Sequence, residues 1–284
     1  MESKVKELQT VLLQMLKDID AVCRKNGISY QLFAGSALGA VRDGGFIPWD
    51  DDLDIAMSRD DYDRFLTAAE EGLCSDRYYI QKEFSEHYPM FSSKVRLHHT
   101  TFMERYIPRD KAMHQGVYVD IFPLDNLSDH PITAKLQFIA SKLVIAKCLY
   151  QRGYATDSVP KKLLMIGCSV LPIRGLRRFV ERRGDTGSSR IHSFFGGTSV
   201  LERGIYSRSS LSTIEVPFED GVFPVSREYD RVLSIQYGDY MTPTDVGDRD
   251  RKRHFLMMDL HHGYERYLEW QDRQVITSFT ESIR

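Results

Sequence analysis

Four aspartates fall within five positions, in Asp50-Asp51-Asp52-Leu53-Asp54, with Pro48-Trp49 before them and Ile55-Ala56-Met57 after. Carboxylates this close repel one another, so the cluster requires a compensating cation, full solvation or shifted pKa values. A divalent metal ion is the simplest compensation. From Asp52 the residues alternate acid and apolar, and a strand with that pattern points Asp52 and Asp54 to one face and Leu53 and Ile55 to the other. A calcium loop fits poorly, because Ile55 stands where an EF-hand requires glycine and Asp61 where it requires glutamate.

Just upstream, an apolar strand pattern from Ile28 to Phe33 runs into Gly35-Ser36 and a short helical stretch. Backbone amides at such a turn approach phosphate oxygens closely, since glycine adds no Cβ and a helix N-terminus carries positive potential. Taken singly, the turn is only a turn and the acidic run only a solvated face. In this order, flanked by Arg42 and Trp49, they point to an enzyme that handles phosphate.

Ala34-Gly35-Ser36 and Asp52-Leu53-Asp54-Ile55 together resemble the signature of the nucleotidyltransferase superfamily. The longer run from Gly35-Ser36-Ala37-Leu38-Gly39-Ala40-Val41-Arg42 through Gly45-Phe46-Ile47-Pro48-Trp49 to Ile55 resembles the LicD family of choline-phosphate transferases. The likeness continues in Val119-Asp120-Ile121-Phe122-Pro123-Leu124-Asp125 and in Phe223-Pro224-Val225 to Met241-Thr242-Pro243, so it spans residues from about 30 to 255. Asp120 is an acid within a hydrophobic strand, costly unless paired or functional. The resemblance implies a third metal carboxylate on a later strand, and Asp120 takes that role. It implies two Mg²⁺ ions, or Mn²⁺, held by Asp52, Asp54 and Asp120, with Gly35, Ser36 and Arg42 on the phosphates and His254 near the active site. Lys94 and Arg96, two apart on a strand, share a face and either neutralise substrate phosphate or are simply solvated.

The reaction so implied moves phosphocholine or a similar phosphoalcohol from a CDP-linked donor to a sugar hydroxyl of a glycan or glycolipid, releasing CMP; fukutin-type relatives use CDP-ribitol. The same metal site would serve attack on the α-phosphate of an NTP, and the metal motifs do not separate the two. A nucleotide- or metal-binding module without turnover is the third reading.

The elements that must position these groups follow from periodicity. Val5, Leu8, Leu12, Met15, Leu16, Ile19 and Val22 recur at helical spacing up to a stop at Asn26-Gly27. Ser58-Arg59-Asp60-Asp61 opens another helix as a capping-box variant. Strands are expected at 77–82, 91–97 and 117–122, helices at 133–151 and 159–183, and a hairpin around Asp220-Gly221 followed by a helix from Ser226. The fold class is α+β: a nucleotidyltransferase-like mixed sheet flanked by helices, with a helical insertion. Residues 1–130 would form the catalytic core, 131–200 a basic helical subdomain, and 201–284 the hairpin and helices completing the core.

The 284 residues carry a net charge of -2, which gives no pull toward nucleic acid. Cys23, Cys74, Cys148 and Cys168 lack zinc-site spacing and read as reduced thiols. The longest uncharged apolar run, Leu163 to Ile173, has eleven residues and is too short to span a bilayer. A cytoplasmic protein, or one peripheral on the inner face of a membrane, is expected. Charge is uneven: from Pro131 to Arg183 eleven Lys and Arg face only Asp157 and Glu181, giving +9 there and -11 elsewhere. Such helices either lie on an anionic membrane or turn a basic side to an anionic substrate, and both readings stand.

Overall fold

The computed structural model describes residues 2–73, 75–104, 110, 112–154, 156–185, 187–195, 200–243 and 253–271. The first helix, α1 (Glu2–Asn26), buries Leu8, Leu12, Met15, Leu16 and Ile19 along one stripe and ends at Gly27, whose φ of 57° is left-handed. Next, β1 (Gln31–Leu32) passes into α2 (Ala34–Arg42) through Ala34, held at φ 47°. Then come β2 (Asp54–Ser58) and α3 (Arg59–Gly72), where the Ser58 hydroxyl caps the helix by accepting the Asp61 N–H at 3.2 Å.

The chain continues through β3 (Tyr78–Gln81), β4 (Ser93–Leu97), β5 (Thr101–Glu104) and β6 (Tyr118–Leu127) into the helices α4 (Pro131–Arg152), α5 (Val159–Cys168) and α6 (Ile173–Glu181). After β7 (Arg190–His192) and β8 (Ile205–Ser207), β9 (Thr213–Phe218) and β10 (Gly221–Ser226) form the hairpin, followed by α7 (Tyr229–Tyr237) and β11 (Phe255–Asp259). The main sheet runs β1-β2-β6-β4-β3, with β7 on the far half of β6 and β8 on β7. Only β2 and β6 pair in parallel within it; the other pairs are antiparallel. A separate pair joins β5 to β11. The architecture is α+β.

Alternation along the strands sorts the two faces. Leu53, Ile55, Val95, Val119 and Ile121 are buried with the α1 stripe and with Tyr62 and Phe65 of α3 in one hydrophobic core. The polar residues between them face the other way. No described helix is long and apolar enough to cross a membrane. Cys23, Cys148 and Cys168 are buried free thiols, and Cys74 lies outside the described residues.

The strand expected from Ile28 to Phe33 is only Gln31–Leu32, and the helix expected from Ser226 starts at Tyr229, after Glu228. Three further elements differ from the expected ones for physical reasons. The helix expected over 159–183 is two helices, because Pro172 cannot continue α5 and instead caps α6. The strand expected to end at Phe122 runs on through Pro123 to Leu127. Its antiparallel partner changes from β4, ending opposite Ile121, to β7, starting opposite Asp125, so Pro123 sits where neither ladder needs its missing N–H. The acidic strand begins only at Asp54, leaving Asp50 to Asp52 in the segment leading to it.

Behind β6 lies a buried ion network. Arg59, whose side chain is 1 % exposed, donates from Nε to Asp125 at 2.6 Å and from Nη1 to Glu83 at 2.9 Å. Burial pushes the Asp125 carboxyl up to about 6 despite the pull of Arg59. Arg177 of α6 donates to the same Glu83 at 2.6 Å, joining the helical segment to the sheet. Arg59→Met leaves the buried Asp125 without a cation while Glu83 keeps Arg177, so it should lower unfolding free energy by about 3–5 kcal/mol. Denaturant unfolding of the two proteins measures this, and a loss below about 1 kcal/mol, typical of exposed pairs, would show the network to be marginal.

Candidate active site

The strand register carries the site. In the parallel β2–β6 pair Asp54 lies opposite Asp120, and in the β4–β6 pair Lys94 lies opposite Asp120. Three ionisable groups therefore form one row across three central strands. Lys94 Nζ donates to Asp120 Oδ2 at 2.8 Å, reaches Glu104 Oε1 at 3.2 Å, and sits 3.3 Å from the centre of the Tyr118 ring. Burial works against a charged Lys94, but Asp120 and Glu104 outweigh it and its pKa goes up. Burial likewise pushes Glu104 up, yet Lys94, Arg152 and Arg96 hold it well below the usual carboxylate range.

For the remaining acids compensation falls short of burial and repulsion. Burial raises the pKa of Asp54 well above its ordinary value, and Asp52, Asp120 and Asp50 add repulsion. Asp50 is raised by burial and by Asp52, and Asp52 by burial against the pull of His254. The second oxygen of Asp120, Oδ1, is buried without a hydrogen-bond partner. Hard carboxylate oxygens, crowded and short of positive charge, are the donor set that suits Mg²⁺ or Mn²⁺. The residues present fit the expected group.

The entry to α2 builds the adjoining wall. A Cβ on Gly35 would stand 2.9 Å from Asp50 Oδ2, so only glycine lets that carboxylate lie against the helix N-terminus. On Gly39 a Cβ would meet the Gly45 carbonyl at 2.4 Å, so this glycine admits the loop that delivers Pro48-Trp49-Asp50. Ser36 is buried: its amide donates to Phe33 O at 3.0 Å and its Oγ accepts the Asp54 N–H at 2.9 Å. The hydroxyl thus pins the first residue of β2.

From the far end of the chain, His254 closes the acidic segment. Its backbone N–H donates to Asp51 Oδ2 at 2.9 Å, while its Nδ1 lies 2.6 Å from Asp51 Oδ1 and 3.4 Å from Asp52 Oδ2. The bond to Asp51 outweighs burial and, with Asp52, pushes the imidazole up to about 9. Ligand atoms of Asp51, Asp52 and His254 all lie within 4.8 Å of one another, a further grouping able to hold a cation.

These walls enclose a cavity of about 770 Å³, large enough for a nucleotide-sized molecule. Gly35, Arg42, Asp52, Asp54 and His254 line it, and Arg42 also bridges to Asp43 at 2.8 Å. Two expected phosphate ligands sit differently. Lys94 is enclosed as the partner of Asp120 and Glu104, and Arg96, fully buried, donates to Gln81 at 2.8 Å and to the Gly116 carbonyl at 2.8 Å. Both do share a face, over the Tyr118 ring, but that face is covered. Ser36 is buried with its Oγ accepting the Asp54 backbone N–H. Of the basic segment 249–254, residues 249–252 lie outside the described residues.

Other lining residues were given no site role from sequence: Trp49, Asp50, Glu104, Tyr118, Tyr237 and Tyr240. Asp50 was within reach, because it continues the two-residue alternation of Asp52 and Asp54. The pairing of Asp51 with His254, 203 positions away, leaves no local signal.

The cavity is acidic, glycine-bordered and set on the mixed sheet of an α+β fold, and the comparisons with known proteins give the family. The family model described as LicD/FKTN/FKRP, nucleotidyltransferase domain, matches residues 27–142. The chain is 34 % identical over 270 residues, 89 % of its length and 96 % of the relative's, to the lipopolysaccharide cholinephosphotransferase LicD of Haemophilus influenzae. Uncharacterized proteins of Rickettsia prowazekii and Rickettsia typhi are each 48 % identical over 50 residues, 18 % of this chain and 19 % and 16 % of theirs. The chain belongs to the LicD family and is a transferase of that family.

The raised pKa of Asp54 has a measurable consequence. A carboxyl whose folded pKa lies above its unfolded value favours the protonated folded form, so its penalty is complete above the folded pKa and absent below the unfolded one. In protein stripped of metal with EDTA, Asp54→Asn should raise the melting temperature at neutral pH. That advantage should shrink as pH falls toward the ordinary carboxylate range. Calorimetry over a pH series checks both, and a variant less stable than wild type at neutral pH would contradict the crowding described here.

Proposed function

We propose that the protein transfers a phosphoalcohol, phosphocholine in the first instance, from a CDP-linked donor to a sugar hydroxyl of a lipopolysaccharide-type glycan. The observation that carries this reading is the register match of Asp54, which lines the cavity bordered by the N-terminus of α2, with the buried Asp120 on the adjacent parallel strand. That arrangement, with the family's domain description, also supports the nucleotidyltransferase-like reading of the core. The name of the Haemophilus influenzae relative supports choline and lipopolysaccharide.

Phosphoryl transfer depends on charge neutralisation and in-line placement more than on covalent participation by the protein. Asp52, Asp54 and Asp120 would hold divalent ions, which when bound would neutralise the donor pyrophosphate and acidify the attacking hydroxyl. Gly35, at the start of α2, offers backbone to a phosphate oxygen, and Arg42 adds positive charge at the same wall. Lys94, itself held by Glu104, fixes the Asp120 carboxylate through Oδ2 and leaves the buried Oδ1 without a hydrogen-bond partner. His254 holds Asp51 and thereby the path of the acidic segment. Trp49, Tyr118, Tyr237 and Tyr240 give the cavity aromatic surface on which a quaternary ammonium is attracted to ring faces.

Phosphorus NMR of the purified protein with Mg²⁺, glycan acceptors and a panel of CDP-choline, CDP-ethanolamine, CDP-glycerol, CDP-ribitol and the four NTPs tests the proposal. CMP release from CDP-choline is expected, and Asp52→Asn, Asp54→Asn and Asp120→Asn should each reduce it by about a hundredfold or more. Pyrophosphate release from an NTP, with CDP donors untouched, would replace this reading by nucleotidyl transfer.

A further inference from the structure

The helical segment 131–183 presents an apolar surface that nothing in the chain covers among the described residues. On α4, Ile132, Leu136 and Ile139 begin a stripe with alternating spacings of four and three. The same stripe continues as Leu143, Ala146 and Tyr150, and there α5 covers it with Met165 and Cys168. The first half has no such cover: Ile132, Leu136 and Ile139 are 64 %, 50 % and 54 % exposed. On α5 the side turned away from α4 is apolar as well. Val159, Leu163, Ile166 and the following Val170 repeat at helical spacing and are 66 %, 64 %, 47 % and 83 % exposed. Since α5 rests on the stripe of α4, its outer side and the uncovered half of that stripe look in the same direction.

Charge accompanies this surface. Lys135 stands beside the α4 stripe and Lys162 beside the α5 stripe, both exposed, and Arg174 and Arg178 are exposed on the neighbouring α6. The inward cations of the segment are already matched: Arg177 meets Glu83 and Glu181, and Arg152 meets Glu104. The outward ones form no ion pair with a carboxylate among the described residues, and the only acids of the segment are the exposed Asp157 and the buried Glu181. A second copy of the chain is a poor occupant, because a two-fold contact would set this cationic surface against itself. Protruding apolar side chains interleaved with unpaired cations match the interface of an anionic bilayer, where the former enter the headgroup boundary and the latter meet lipid phosphates.

We propose that α4 and α5 dock the protein on an anionic membrane surface, with Leu163 and Ile166 entering the lipid interface and Lys135, Lys162, Arg174 and Arg178 contacting headgroups. The site so defined is separate from the cavity, and membrane binding is read without reference to turnover. It therefore stands or falls apart from the proposed transfer reaction.

Co-sedimentation of the full chain with vesicles of phosphatidylcholine alone, and of phosphatidylcholine mixed with phosphatidylglycerol, tests it at low and high salt. Binding is expected to the mixed vesicles, to fall steeply with added salt, and to be at least about tenfold weaker on phosphatidylcholine alone. The double variant Leu163→Glu with Ile166→Glu should lose binding, and Lys162→Gln with Arg178→Gln should weaken it about tenfold or more. These positions are exposed, so both variants should keep the wild-type melting temperature, and activity with a water-soluble acceptor should be unchanged. Three results would overturn the proposal. They are no sedimentation with either vesicle, binding indifferent to lipid charge and salt, or a wild-type dimer in sedimentation velocity that Leu163→Glu with Ile166→Glu dissociates.

Discussion

The structure turns on an imbalance of charge that begins at the wall of its cavity, with Asp50, Asp52 and Asp54, and continues into the sheet with Asp120. Asp54 and Asp120 are placed side by side by a parallel strand pair, Asp50 and Asp52 converge on them, and the row they form contains one cation, Lys94. That lysine is bound to Asp120 and Glu104, and the pull of His254 on Asp50 and Asp52 does not offset their burial, so the excess negative charge falls on Asp50, Asp52 and Asp54. Backbone hydrogen bonds of the sheet and close packing behind Leu53, Ile55, Val119 and Ile121 hold this repulsive arrangement in place. Glycine at positions 35 and 39 and the bond from the Asp54 amide to Ser36 complete the restraint. Such a preorganised site suits the divalent cations and anionic donor proposed above.

The helical segment is tied to the same sheet by its inward arginines. Arg152, at the end of α4, meets Glu104 at the cavity wall, and Arg177 of α6 shares Glu83 with Arg59 behind β6. Basic residues here thus divide into two populations. One holds the helices to the acidic core, and the other faces outward beside exposed apolar side chains. This division explains how a segment of +9 can sit against a remainder of -11 and still offer a cationic surface.

Much of this was legible in the sequence where local pattern decides structure. The stripe of α1, the Ser58 cap, the hairpin β9–β10 and the alternation that sends Leu53 and Ile55 inward depend on neighbours a few residues apart. The gathering of Gly35, Asp52 and Asp54 was legible for the same reason, through the spacing of a turn and a strand. What was not legible depends on distant partners. Lys94 and Arg96 carry the same alternation as surface cations, and only the packing of Tyr118, Glu104 and Gln81 around them makes them framework residues. The bond that brings the Asp54 amide to the Ser36 hydroxyl is not a sequence property either. His254 was expected near the site only by family resemblance, and its bond to Asp51 had no local trace.

The central claim, that the row through Asp54 and Asp120 is built for divalent cations, is tested most directly by anomalous diffraction from crystals of the full chain soaked in Mn²⁺. The account predicts an anomalous peak bordered by the carboxylates of Asp52, Asp54 and Asp120, lost in crystals of Asp54→Asn. No peak, or a peak only between Asp51 and His254 that Asp54→Asn leaves unchanged, would contradict it.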